Sequence, residues 1–245
     1  RFQRHPRPRI GGSIPVDSDE PRPLNIPAME ASVALDVPDG PSLEGRLASP
    51  AGAGAGVVLC HPHPLYGGDM DNPVVVRAAE VAQGQGLATL RFNFRGVGGS
   101  GGSHGGGTAE MDDVRTALAH LGAGLPAGAR IGLLGYSFGA WVSGRVAATA
   151  PLPLCLIGPP LGMLDWSTAP PARPDLCVIA GSRDPYCPLP ELERFTARLA
   201  PARVAVIDGA DHFFFGKLFP MGEEVGRWLQ GWASASATLP GQPGR

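Results

Sequence analysis

The sequence predicts an α/β fold: about eight strands in a mostly parallel sheet, with helices on both of its faces. Three observations predict it. Apolar runs of strand length alternate with helical stretches through most of the chain. Several of those runs (VVLCH, RIGLLGY, DLCVIAG) are apolar at successive positions, as strands covered on both faces must be. With 245 residues, 43% hydrophobic and 17% charged, the chain is also long enough to bury a substantial core as a single domain.

Taken in order, residues 1–28 are broken by prolines and carry no helical or strand period, which predicts a loose arm. Residues 233–245 read the same way and predict a flexible tail, leaving 29–232 as the domain. SVALDV and SLEGRLAS flank the turn signal Pro38-Asp39-Gly40 and predict an antiparallel hairpin. VVLCH (57–61) predicts a buried strand, 73–83 a helix, and LATLRFNF (87–94) another strand. Residues 96–107 are nearly all glycine and serine, a flexible loop by composition. A helix to Leu121 follows, with Thr108 as its expected N-cap. The alternation then continues: strand 130–136, helix 138–149, strand 152–158, strand 175–181, helix 189–199, strand 203–208, helix 221–232. No internal repeat is present.

Composition excludes some function classes. Twenty basic and 22 acidic residues give a net charge of -2, which offers no electrostatic footprint for nucleic acid. No apolar run reaches the roughly 18–20 residues of a membrane span, and the first residues hold no apolar core of a secretory signal. The four cysteines, Cys60, Cys155, Cys177 and Cys187, lack the short paired spacing of a zinc or redox site. They read as free thiols, which suits a reducing compartment, and a cytoplasmic location is expected. No pattern in the chain sets an oligomeric state.

The pattern G-x-S-x-G occurs around Ser100, Ser103 and Ser137, so in a chain with 36 glycines the pattern alone means little. Context separates the three. A nucleophilic serine needs a strand running into a sharp turn and then a helix, so that its hydroxyl projects at the sheet edge. Ser137 has RIGLLGY before it and FGAWVSGRVAATA after it; Ser100 and Ser103 lie in the glycine run. The plainer role for Ser137 is a helix N-cap.

A serine hydroxyl requires a base. Of the six histidines, His212 lies just past strand RVAVID, at its carboxyl end and last in chain order. In doubly wound sheets chemistry gathers at those ends. His5 falls in the arm, His120 in a helix, His104 in the glycine loop, and His61 and His63 after the third strand. The acid must orient His212. Asp175 starts a strand and sits at the wrong edge; Asp208 and Asp211 are too near His212 in sequence to face its ring. Asp184, just beyond DLCVIAG, is at the correct edge, with an ordinary Asp-Pro turn as its plainer role. Asp165 is its rival.

Acyl transfer also needs two donors for a developing oxyanion. The Phe138 amide, directly after the nucleophile, is one. The second should come from the loop Cys60-His61-Pro62-His63-Pro64-Leu65-Tyr66. Its prolines have no N–H, which leaves His63 or Leu65, with His63 favoured. The two histidines could also share a metal ion, but a third ligand is missing and no metal is expected.

HPHPLYGGDMDN, RFNFRGVGGSGG, GYSFG, GSRDP and DH together resemble the small HPHP-type serine hydrolases of the α/β-hydrolase superfamily, related to dienelactone hydrolases and prolyl-oligopeptidase catalytic domains. The resemblance covers about residues 30–232. It implies the α/β-hydrolase fold, a serine esterase-like activity without a cofactor, and a triad of Ser137, Asp184 and His212. It also implies no lid, and only residues 159–174 separate LPLCLIG from DLCVIAG, too short for a helical cap. Leu65, Tyr66, Trp166 and Phe213 are then expected around the substrate. The triple Phe213-Phe214-Phe215 could equally be core packing. Arg95 is expected to pair with Asp112 or Asp113 rather than with substrate.

The expected function is hydrolysis of small carboxylic esters through an acyl-enzyme, with a small-molecule ester as partner and neither nucleic acid nor membrane. Kinship with prolyl-oligopeptidase domains makes a serine peptidase the alternative. A non-catalytic scaffold that recruits a partner is the alternative of another class.

Overall fold

The computed structural model describes residues 29–199 and 203–233. The arm expected over 1–28 and all of the expected tail except Ala233 lie outside the described residues. Among the described residues eight strands form one sheet: β1 (Ala31–Asp36), β2 (Ser42–Ala48), β3 (Ala55–Cys60), β4 (Ala88–Phe92), β5 (Arg130–Tyr136), β6 (Leu154–Ile157), β7 (Leu176–Gly181) and β8 (Arg203–Ile207). Their order is β1-β2-β4-β3-β5-β6-β7-β8. The first three neighbours pair antiparallel, starting with the predicted hairpin in the register Asp36↔Ser42, and the remaining pairs are parallel.

Among the described residues five α-helices cover the sheet: α1 (Pro73–Gly84), α2 (Glu110–Ala123), α3 (Phe138–Ala147), α4 (Leu189–Ala197) and α5 (Leu218–Ala233). Alternate strand residues feed two separate cores, as a period of two requires. Val58 and Cys60 of β3 and Val178 and Ala180 of β7 join the core under α2, α3 and α4. Val57, Leu59, Cys177 and Ile179 join the one under α1 and α5. The tryptophans divide in the same way. Trp141 and Trp166 pack on the first side, and Trp228 and Trp232 on the second. All four cysteines are buried and free.

Two elements depart from the sequence expectation. Helix α2 starts at Glu110, and Thr108 does not cap it. The buried Glu110 carboxylate turns back to accept the amides of Gly105 and Gly107, each at 2.7 Å, so it ties down the glycine loop before its own helix. Helix α5 starts earlier than expected, at Leu218. Pro220 falls in its first turn, where a missing N–H costs no helical bond.

The glycine loop is not the flexible segment its composition suggests. Ser100 Oγ donates to the Asn93 carbonyl at 2.7 Å and accepts the Glu44 amide at 2.9 Å. Arg95 Nε and Nη2 hold Asp113 Oδ1 at 3.0 and 2.5 Å, and Asp113 is fully buried on α2. Burial pushes the Asp113 carboxyl up, while its bonds to Arg95 pull it down. Between β6 and β7 the chain forms no helix, so nothing caps the carboxyl edge of the sheet there. Among the described residues no helix is long and apolar enough to cross a membrane.

Candidate active site

Strand β5 runs into α3 through Ser137, whose backbone sits at φ 54° and ψ -116°. A non-glycine residue in that region is strained, and only close surrounding structure holds it there. The flanking glycines make the turn possible. A Cβ on Gly135 would lie 2.2 Å from the Gly139 carbonyl oxygen, and one on Gly139 would lie 2.4 Å from the Cys60 carbonyl oxygen. Strand, turn and helix therefore cross at backbone distance, a crowding that neither Ser100 nor Ser103 has. Ser137 Oγ caps no amide of α3, which leaves the hydroxyl for other partners.

Its partner is His212, in the loop after β8. His212 Nε2 lies 2.9 Å from Ser137 Oγ, and His212 Nδ1 lies 2.7 Å from Asp184 Oδ2. The other Asp184 oxygen accepts the amides of Tyr186 at 2.8 Å and Cys187 at 3.1 Å, which fixes the carboxylate's orientation after β7. An ionised carboxylate can only accept, so Nδ1 carries the proton and the Nε2 lone pair faces the serine. All three side chains are buried to within 9% exposure. Asp165, the rival acid, is exposed and spends its carboxylate on the amide and hydroxyl of Ser167. Those bonds hold its carboxyl below the usual range.

Two neighbours that sequence reasoning missed hold this line in place. Tyr136 donates its hydroxyl to the His212 carbonyl at 2.9 Å, from the variable position of the GYSFG motif itself. Gly158, at φ 50°, brings bare backbone alongside the pair; a Cβ there would sit 3.4 Å from both Asp184 Oδ2 and His212 Nδ1.

The loop after β3 divides its two histidines. His61 is fully buried, with Nδ1 2.6 Å from the Pro62 carbonyl and Nε2 accepting the Phe94 amide at 2.9 Å. Both ring nitrogens are committed, and burial pulls its pKa down to about 4. His61 is therefore a loop brace that ties β3's exit to β4. His63 Nδ1 accepts the Leu65 amide at 3.2 Å, which removes that amide as an oxyanion donor. The amides of His63 and Phe138 meet no acceptor among the described residues, and their rings lie 4.8 Å apart. His104 packs against both rings and stands 2.9 Å from Glu110, so the glycine loop backs this corner. Among the described residues no cluster of His, Cys, Asp or Glu could hold a metal ion.

Ser137 and His212 open into a cleft of about 510 Å³, walled largely by Tyr66, Phe138, Met163, Leu164, Tyr186 and Phe213. Tyr66 and Phe213 thus line it as expected, and Leu65 and Trp166 do not. Leu65 points to solvent from the short 3-10 turn Pro64–Tyr66. Trp166 turns inward and packs on Phe195 at 4.9 Å, over Gly144, where a Cβ would come within 2.8 Å of its ring. The phenylalanine triple splits. Phe214 enters the core at φ 55°, which sends Phe213 toward the cleft and Phe215 to solvent. Met163, Leu164 and Tyr186 carried no sequence signal beyond lying after strands.

No family model matches the chain. An uncharacterised protein of Rickettsia prowazekii is 32% identical over 204 residues, covering 78% of this chain and 85% of that one. Among solved structures, an α/β serine hydrolase homologue from Coxiella burnetii shares 33% identity with a TM-score of 0.73, covering 80% of this chain and 96% of its own. A serine hydrolase without a lid from Xanthomonas campestris shares 32% identity with a TM-score of 0.77, covering 86% and 98%.

Proposed function

Because this chain belongs to the lidless α/β serine hydrolases, we propose that it cleaves small carboxylic esters through an acyl-enzyme, with Ser137, His212 and Asp184 as nucleophile, base and acid. The observation that carries this is the unbroken line Asp184 Oδ2, His212 Nδ1, His212 Nε2, Ser137 Oγ, with its serine end in an uncharged cleft. Ser137 Oγ attacks the ester carbonyl as His212 Nε2 takes its proton. Asp184 stabilises the imidazolium without becoming protonated. The oxyanion that forms is received by the amides of Phe138 and His63, which meet no acceptor among the described residues. His212 then protonates the leaving alkoxide, and an activated water releases the acid by the same steps in reverse. The open edge between β6 and β7 lets small substrates and water reach the site without a lid movement.

The test is a pair of measurements. A fluorophosphonate should label the protein at Ser137, and Ser137→Ala should abolish labelling and lower hydrolysis of p-nitrophenyl butyrate by about 10⁴-fold or more. A Ser137→Ala protein that hydrolysed the ester as fast as the parent would overturn the assignment.

A further inference from the structure

The cleft has two chemically different ends, and the sheet order separates them. On one side of β5 lie the loops after β6, β7 and β8; on the other lies the loop after β3. The first side is apolar: Met163, Leu164, Tyr186 and Phe213. Tyr186 and Phe213 also stand edge-on to the His212 ring, at 4.7 and 5.7 Å between centroids. If His212 protonates the leaving oxygen, the alcohol part of the ester must lie on this side. The acyl part is then directed across β5 toward the loop after β3.

That second side offers hydrogen-bond donors with no acceptor among the described residues. Asn72 lines the cleft and is the N-cap of α1, with Oδ1 accepting the Val74 amide at 3.0 Å. The cap fixes the side chain and assigns its two ends, so the NH₂ group is left over; it meets no acceptor among the described residues. His63 repeats the arrangement. Its Nδ1 accepts from Leu65, so in the neutral ring the proton is on Nε2, and that N–H meets no acceptor among the described residues either. Burial, and then the neighbouring His104, disfavour the charged form of His63. Among the described residues no Lys, Arg, Asp or Glu lines the cleft. Two neutral donors without a cation suit an ether, keto or hydroxyl oxygen, and do not suit a carboxylate.

We propose that Asn72, with His63 beside it, is a specificity-determining residue that binds a neutral acceptor oxygen on the acyl part of the ester, so that the substrates are oxygen-bearing acyl esters rather than plain alkanoates. This rests on the esterase reading given above. Because Asn, Asp and Ser cap helices about equally well, Asn72→Asp removes the donor and Asn72→Ser replaces it with a shorter hydroxyl drawn back from the cleft, both without loss of the structural role.

The experiment compares p-nitrophenyl methoxyacetate with p-nitrophenyl butyrate, which differ by one oxygen in place of one methylene, in the parent, Asn72→Ser and Asn72→Asp. The quantity read is the ratio of the two kcat/KM values, so the intrinsic reactivity of each ester cancels between proteins. Losing one neutral hydrogen bond should lower that ratio about three- to tenfold in Asn72→Ser, and at least as far in Asn72→Asp, whose carboxylate repels the ether oxygen. Thermal melting of both variants at the parent temperature would show that the cap is intact. Turnover of both esters with a ratio unchanged in both variants would overturn the role of Asn72 while leaving the esterase reading in place. Turnover of neither ester by the parent would overturn both.

Discussion

At the residue scale, the site depends on a few atoms whose neighbours leave them no choice. Asp184 is pinned by two backbone amides and can only accept from His212, whereas Asp165 is bonded to Ser167 on the surface. Asp184→Asn should therefore lower kcat by about 10⁴-fold, because an amide at this position favours the wrong imidazole tautomer. Asp165→Asn should leave ester turnover unchanged; steady-state kinetics on the two variants decide between the acids. Ser137, Asp184 and His212 were legible in the sequence because each follows a strand, and the carboxyl ends of parallel strands share one edge. Asn72 and Tyr136 were not legible. Their roles arise from bonds to Val74 and His212 that no local pattern encodes. Trp166 was misplaced for a related reason: strand order says which edge a loop occupies, and nothing about whether its ring turns to the cleft or to the core.

At the element scale, the strands were the most legible part, since apolar residues at consecutive positions leave few alternatives to a doubly covered strand. The glycine loop between β4 and α2 was the least legible. Its composition says only that backbone is cheap to bend there. Its order comes from the Ser100 hydroxyl, bonded to Asn93 and Glu44 backbone, and from three acidic side chains elsewhere: Glu44 and Glu110 take its amides, and Asp113 takes Arg95. Removing one partner of the buried pair strands the other. Arg95→Ala should thus cost about 3 kcal/mol, read as a lower urea midpoint, because Asp113 would remain buried without its cation. A surface ion pair such as Arg115 with Asp112 would cost under about 1 kcal/mol by the same assay.

For the whole molecule, His61 links the site loop to acid stability. In the folded chain its pKa lies near 4, against 6.5 for an ordinary imidazole. The unfolded chain therefore binds the proton first. The contribution is fully present above about pH 6.5 and is lost as pH falls toward 4, at a cost of up to about 3 kcal/mol. Urea midpoints should drop across that window. The His61 ring resonances should meanwhile stay those of the neutral form down to about pH 5 in the folded protein. A midpoint that held steady from pH 7 to 4.5 would contradict this account.

The division of the four tryptophans, two on each side of the sheet, gives the protein a built-in optical probe of each helical layer. Replacing Trp141 and Trp166 with Phe leaves emission from the α1–α5 side only, and replacing Trp228 and Trp232 leaves emission from the other. Both layers are anchored on alternate residues of the same strands, so neither can lose its packing while the sheet survives beneath the other. Each double variant, compared with its own calorimetric transition, should give a fluorescence midpoint that coincides with it. An emission change preceding the heat absorption would identify a layer that peels away first.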